Sequence, residues 1–304
     1  MAEPAAWTLA VDLGGTRMRA AVVAPDGEIT GKKVMATPRD AACPDALLDL
    51  VGDVSAGAGV TDAVIGVPGR VDHRAGRLEH APNLPPHWPD ELNERLLAEH
   101  LGLAVSLAND ADLAAVGEAY FGAARSYADV VYVTISTGVG AGVLLGRRLV
   151  SGRRSLAEAG ETVIDRCAAR RGEAATFEDL GSGTALARRA AEAQLPANGA
   201  RIVELVHAGD PRAAKVWDEV VAVIAIGVAN LAVLFSPEAV VLGGGVGRNG
   251  DLLVPAVRRH LDVHGPAGLP APIEVLVAEL GDDAGLTGAA AWRRATRAAR
   301  RRSR

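Results

Sequence analysis

Asp12 and Asp110 are the two residues from which a chemical reading of this chain starts. Asp12 ends an apolar run and is followed by Leu13-Gly14-Gly15-Thr16. A carboxylate beside such a turn can hold Mg²⁺, directly or through water, while the turn amides meet phosphate oxygens. Asp110 stands in Asn109-Asp110-Ala111-Asp112, where a short apolar run gives way to a helical pattern. A carboxylate at the end of a buried strand is well placed as a general base. Plainer readings compete at both positions. A turn Asp commonly bonds its own backbone. Asn and Asp are favoured helix N-caps, and acids are favoured in a first helical turn.

Three further stretches carry chemistry-bearing residues. Thr134, Ser136, Thr137, Gly138 and Gly140 cluster between two apolar runs, so amides and hydroxyls are available to phosphate. Gly243-Gly244-Gly245-Val246-Gly247 follows an apolar run and precedes a helical pattern, a place where a nucleotide could sit. It lacks the spacing and the following acid of a Rossmann fingerprint. Glu161, in Ala159-Gly160-Glu161, and Glu178, after Phe177, offer carboxylates in glycine-containing context. Exposed glutamates are common, so neither argues for itself.

The elements that must position these residues follow from hydrophobic patterning. Residues 7–24 and 130–145 each read as two antiparallel strands around a turn of small residues. Two such hairpins in one chain suggest two halves facing one polyphosphate, and an internal duplication of pattern. Asp26-Gly27 turns the chain into a third strand, 28–36. Helices are expected at 45–56, 89–101, 111–120, 251–260 and 287–301, and strands at 63–67, 105–108, 239–242 and 273–278. The segment 146–176 reads as a loop. The most apolar stretch, 220–235, is 16 residues long, short for a membrane span, and reads as a buried helix.

The chain has 304 residues, 49% of them hydrophobic and 3% aromatic, so a full core built from Ala, Val and Leu is expected. A net charge of −5 argues against bulk nucleic-acid binding. Seven arginines between 293 and 304 read as a helix end running into a solvated tail. Two cysteines, Cys43 and Cys167, make no disulfide framework. The N-terminus has neither a basic region nor a long apolar core, so a cytoplasmic protein without a signal peptide or membrane contact is expected.

Taken in order, DLGGT (12–16), GVPGRVD (66–72), NLPPHW (83–88), NDADLAAVGEAYFGA (109–123), TISTGVGAGVLL (134–145), AGE (159–161), FEDLGSG (177–183) and VVLGGGV (240–246) resemble ROK proteins. These are bacterial sugar kinases and sugar-responsive repressors of the hexokinase/actin superfamily. The resemblance spans about residues 8–291. It implies an α/β, two-domain actin/hexokinase-like (ribonuclease H-like) fold with a cleft between the domains. The smaller domain would be 1–122, completed by the C-terminal helix 287–304, and the larger 123–286.

The resemblance further implies an ATP-dependent kinase acting on a hexose, glucokinase-like, with Mg²⁺. Asp110 matches the catalytic base. Gly69, Asn109, Asp110, Glu161 and Glu178 match sugar contacts. Phosphate contacts fall on Asp12, Gly14, Gly15, Thr16, Thr137 and Gly138, and adenosine on Gly243, Gly244 and Gly245. Asp12 is the candidate Mg²⁺ ligand. Partners are then a small sugar or polyol, with no nucleic acid and no membrane, and the chain a monomer or homodimer.

Two departures from the family pattern matter. A His that contacts sugar and zinc in many members is Ile164 here, and only Cys167 stands where three cysteines follow. One thiol cannot make a structural zinc site, so a zinc-free chain is expected. Loss of the His keeps an amino sugar or cyclitol open as substrate. His80 and His87 are the understudies for it, each weighed first as a surface residue. Only 11 residues precede Asp12, too few for the DNA-binding module of the repressors, so regulation is not expected. A non-catalytic sugar sensor is the remaining alternative.

Overall fold

The computed structural model describes residues 7–52, 54, 59–152, 155 and 157–296. The leader reading of 1–6, the arginine tail 297–304, and parts of the expected 45–56 helix and 146–176 loop lie outside the described residues.

Twelve strands appear among the described residues: β1 Thr8–Leu13, β2 Arg17–Val23, β3 Ile29–Ala36, β4 Asp62–Val67, β5 Arg70–Asp72, β6 Arg77–His80, β7 Ala104–Asn109, β8 Val130–Ile135, β9 Val139–Leu145, β10 Arg148–Leu149, β11 Ala239–Gly243 and β12 Glu274–Val277. They build two five-stranded sheets, ordered β3-β2-β1-β4-β7 and β10-β9-β8-β11-β12, and the small β5-β6 hairpin. The two large sheets repeat one plan. In each, an antiparallel hairpin supplies a strand that continues into two parallel neighbours. Parallel strands need crossover helices, which cover the faces and leave the strands as continuous apolar runs. Accordingly β4 and β11 are buried throughout.

Register decides where the chemistry sits. Asp12 pairs in parallel with Gly66, and the next row pairs Val67 with Asn109. In the second sheet Thr134 pairs with Gly243. The residues singled out above therefore gather at the carboxyl ends of parallel strands, where α/β sheets bind ligands.

Between the sheets lies a shared apolar cluster that includes Ala10 and Val64 of one sheet, Tyr132 and Val241 of the other, and Leu113 and Leu286 of two helices. These helices, Asp110–Tyr120 and Ala284–Ala289, cross without room for side chains at the contact. A Cβ on Gly117 would lie 2.2 Å from the Ala284 carbonyl oxygen, and one on Gly288 2.0 Å from that of Leu113. Helix Pro211–Phe235 is long and apolar enough to cross a membrane, yet half of its most apolar window is packed inside the protein. It anchors a second cluster with Val133, Phe177 and Trp217.

Three expected elements are subdivided. The 89–101 helix is two, Trp88–Glu91 and Glu94–Leu101, because Asn93 turns out as a new N-cap accepting from Arg95 and Leu96 amides. The 287–301 helix becomes Ala284–Ala289 and Trp292–Thr296. The 146–176 loop contains β10, a short 3-10 helix and helix Arg166–Arg171.

Glu118 ties the Asp110–Tyr120 helix to the end of β12. Its wholly buried carboxylate accepts from the amides of Ala123 at 2.9 Å, Glu279 at 3.1 Å and Leu280 at 2.8 Å. Glu118→Ala leaves these donors facing a cavity, so an unfolding free energy lower by at least about 1–3 kcal/mol is expected. Urea titration checks this; an unchanged midpoint would assign the helix's anchorage to the glycine crossing alone.

Candidate active site

Asn109 organises the centre of the molecule. It is the last residue of β7 and the N-cap of the following helix. Its Oδ1 accepts from the amides of Ala111 at 2.8 Å and Asp112 at 3.3 Å, while its Nδ2 donates to the Gly69 carbonyl at 2.9 Å. The capping role read from the sequence and a place at the ligand site are thus one arrangement. Gly69 has φ of 123°, and a Cβ there would lie 2.1 Å from the His80 carbonyl oxygen. Only glycine lets this loop close against the β5-β6 hairpin.

Three cavities meet around this point. The first, about 540 Å³, is bordered by Gly69, Asn109, Asp110, Glu161 and Glu178, and also by Thr137 and Gly138. The second, about 220 Å³, is bordered by Asp12, Asp110, Gly244 and Gly245. The third, about 520 Å³, has an apolar wall of Leu186, Val203, Trp217 and Val246 beside Thr137, Gly245 and Asn249. Ser136 borders all three, so they form one continuous cleft. The first is a polar chamber rich in carboxylates, the second a smaller charged passage, and the third a chamber with an apolar wall. That matches a polyhydroxylated acceptor, a polyphosphate and a base.

Asp110 lies at the junction of the first two cavities. Its side chain is exposed, and the surface it exposes borders the cleft. Desolvation is the main force pushing its carboxyl up to about 7; the negative charge of Asp12 adds to this, and the Ala111 amide opposes it. Asp112, two residues further along the same helix and wholly buried, is likewise pushed up to about 7 by burial, with the Ser155 hydroxyl opposing. A carboxylate poised near 7 beside a hydroxyl-binding chamber suits proton abstraction at physiological pH.

Asp12 is held by Arg19, its cross-strand partner in the β1-β2 register. The Arg19 Nε bond to Asp12 Oδ2 is 3.0 Å, and Nη2 bonds the same oxygen. Oδ1 is left for a ligand. Glu178 borders the acceptor chamber and accepts from the Val139 amide at 2.8 Å, which fixes the turn of the second hairpin. Glu161 borders it too and is ion-paired with Arg70, whose Nε lies 3.6 Å from Glu158.

Some expected contacts sit outside these walls. Gly14, Gly15 and Thr16 shape the turn beyond Asp12, where the Gly14 amide donates to the Arg17 carbonyl at 2.9 Å. Gly243 is packed against Tyr132, whose hydroxyl would be 2.3 Å from an added Cβ, while Gly244 and Gly245 reach the cleft. Ile164 packs against the core of the second sheet and not on the acceptor chamber. Of its two understudies, His80 borders the chamber, whereas the His87 ring contacts the Ala41 carbonyl at 3.0 Å. Sequence reasoning passed over Arg70, Glu158, Arg19, Arg248 and Asp282. Only Arg19 left a signal: four residues, 14–17, between the paired Leu13 and Met18 put it opposite Asp12.

No group of three or more His, Cys, Asp or Glu that could hold a metal occurs among the described residues. Cys167 is exposed and free. Mg²⁺ needs no such protein cage, since one or two carboxylates with substrate phosphates and water suffice. The free Oδ1 of Asp12, in a passage it shares with Asp110 and Asp282, fits that requirement.

Comparison with known proteins agrees with this geometry. The chain is 32% identical to a glucokinase of Streptomyces coelicolor, covering 93% of this chain and 96% of that one. It is 30% identical to an N-acetylmannosamine kinase of Escherichia coli, covering 94% and 98%. The ROK hexokinase of Thermus thermophilus superposes with a TM-score of 0.80 at 34% identity, covering 93% and 96%. A ROK glucokinase of Streptomyces griseus, solved with glucose and AMPPNP, superposes at 0.77 with 32% identity, covering 94% and 98%. The fold is therefore the hexokinase-like α/β fold that the sequence implied. With the ROK family model matching residues 8–296, the chain belongs to the ROK family.

Proposed function

We propose that this chain transfers the γ-phosphoryl group of ATP to a hydroxyl of a hexose, with Asp110 as general base. That it is an ATP-dependent sugar kinase follows from its family and its relatives. The hexose, the base and Mg²⁺ are the finer reading. One observation carries it: Asp110 alone among the carboxylates borders both the acceptor chamber and the phosphate passage.

The mechanism follows from the residues. Asn109 and Glu178 border the chamber where a ring of hydroxyls would lie, and Glu161 keeps a carboxylate at its edge. Asp110 takes the proton of the attacking hydroxyl as its oxygen bonds to the γ-phosphorus and the bond to the ADP oxygen breaks. Thr137 and Gly138 offer a hydroxyl and an amide to the phosphates, and Gly244 and Gly245 bring bare backbone to the passage. Mg²⁺, held through Asp12, would offset charge on the phosphates. Exclusion of water from the cleft suppresses hydrolysis of ATP. The two halves, 1–122 with the returning C-terminal segment and 123–286, act as the domains that enclose it. The enzyme works in the cytoplasm on a small sugar, as monomer or homodimer.

The raised carboxyl of Asp110 must be ionised to accept a proton. Hence kcat/KM should fall as pH drops below about 7 and level off above it, with one proton accounting for the limb. Asp110→Asn should bind sugar and ATP but lose turnover by a factor on the order of 10²–10⁴. Turnover near wild type in a coupled assay, or an acid limb that survives the substitution, would give the base role to another group.

Because Ile164 packs against the core of the second sheet and Cys167 stands alone, the chain should carry no stoichiometric zinc. Metal analysis of dialysed protein checks this. EDTA should leave the melting temperature unchanged and abolish turnover, which added Mg²⁺ then restores.

A further inference from the structure

The phosphate passage contains two guanidinium groups that none of the glycine-rich motifs account for. Arg19 projects from β2 of the first sheet, and Arg248 follows the short helix Gly244–Gly247 after β11 of the second. Both border the same 220 Å³ cavity. Arg19 is engaged by Asp12, and its Nη1 donates to the Asp282 carbonyl at 2.7 Å. Arg248 Nη2 lies 3.4 Å from Asp282 Oδ1. Asp282 belongs to the turn Gly281–Asp283, which leads from β12 into the helix between the sheets. One aspartate on the connecting segment thus holds a cation from each half.

We propose that Arg19 and Arg248 form a two-sided cationic clamp for the polyphosphate of the donor nucleotide. This rests on the kinase reading above and adds the donor-side residues to it. Asp12 and Asp282 hold the two guanidiniums beside the passage before the donor arrives. A triphosphate brings several negative charges into a channel already bordered by Asp12, Asp110 and Asp282. Backbone amides and hydroxyls carry no net charge to offset these. Arginine does, and its planar fork matches phosphate oxygens two at a time. Arg248 and Asp282 keep more than half of their side-chain surface exposed, so their contact at 3.4 Å is a weak surface pair that a phosphate can displace. Arg19 is more enclosed, with 26% of its side chain exposed, and its three nitrogens are held by Asp12 and the Asp282 carbonyl, which fixes the guanidinium at the passage wall. The two cations come from different halves, so a phosphate bound to both also draws the halves together.

The test separates phosphate binding from adenosine binding. Calorimetry is run on wild type, Arg19→Met, Arg248→Met and the double variant, with adenosine, ATP and inorganic tripolyphosphate as separate titrants. Charge-assisted bonds are strong enough that each single variant should weaken tripolyphosphate and ATP about tenfold, and the double variant further. Adenosine affinity should stay within twofold of wild type, which also certifies the fold. Arg248→Met, at an exposed position, keeps the test decisive if loss of Arg19 unsettles Asp12. Arg→Lys at either site should restore part of the affinity, since charge returns without the fork. Tripolyphosphate affinity unchanged in both variants would overturn the clamp while leaving the kinase standing. Wild type that binds neither adenosine nor ATP would instead overturn the kinase reading.

Discussion

The side chain of Asn109 does two things that cannot be separated. By accepting the Ala111 and Asp112 amides it starts the central helix, and by donating to Gly69 it fastens that start to the loop after β4. The peptide of Asp110 is thereby fixed between a strand end and a helix start. Asp110 has little freedom left, which is what a base requires if it is to meet a hydroxyl within hydrogen-bond reach. The same helix continues to Glu118, whose carboxylate grips the end of β12. One helix thus carries Asp110 at its first turn and a link to the second sheet at its last.

Charge is distributed along the cleft in a way that follows from this placement. Asp12 and Asp110 border the same passage, and the charge of Asp12 makes Asp110 harder to ionise. Arg19 sits on Asp12 and not on Asp110. Burial, with the charge of Asp12 adding to it, pushes the Asp110 carboxyl up to about 7. Two aspartates near strand ends thus have different neighbours: Asp12 is ion-paired with Arg19, and Asp110 borders the acceptor chamber.

Much of this was legible in the sequence because the signals were local. Apolar runs broken by glycine marked both hairpins, and strand ends carrying Asp12, Asn109 and Gly244 follow from the same runs. Helix interruptions were less legible. Asn93 lies inside an amphipathic pattern, and its cap competes with continuation of the helix only once Leu92 is drawn into the core. Ile164 was placed by pattern at the sugar, but burial of an isoleucine in the second-sheet core wins over a place on a wet wall. Arg70 could not be placed, and His80 only as one of two understudies. They lie on the β5-β6 hairpin, whose position depends on contacts distant in sequence, above all the close approach of Gly69 to His80.

The acceptor chamber shows what that long-range placement achieves. Arg70 comes from the first half of the chain and Glu158 and Glu161 from the second, and they pair across the cleft. Burial pushes the Glu158 carboxyl up, Arg70 pulls it down, and Glu161 and Glu178 push it up again. Four carboxylates, Asp110, Glu158, Glu161 and Glu178, would repel one another around a small chamber if no cation were present. Arg70 relieves that repulsion only when the two halves are close. The contact that spans the cleft and part of the chamber wall are thus built from the same three side chains, Arg70, Glu158 and Glu161.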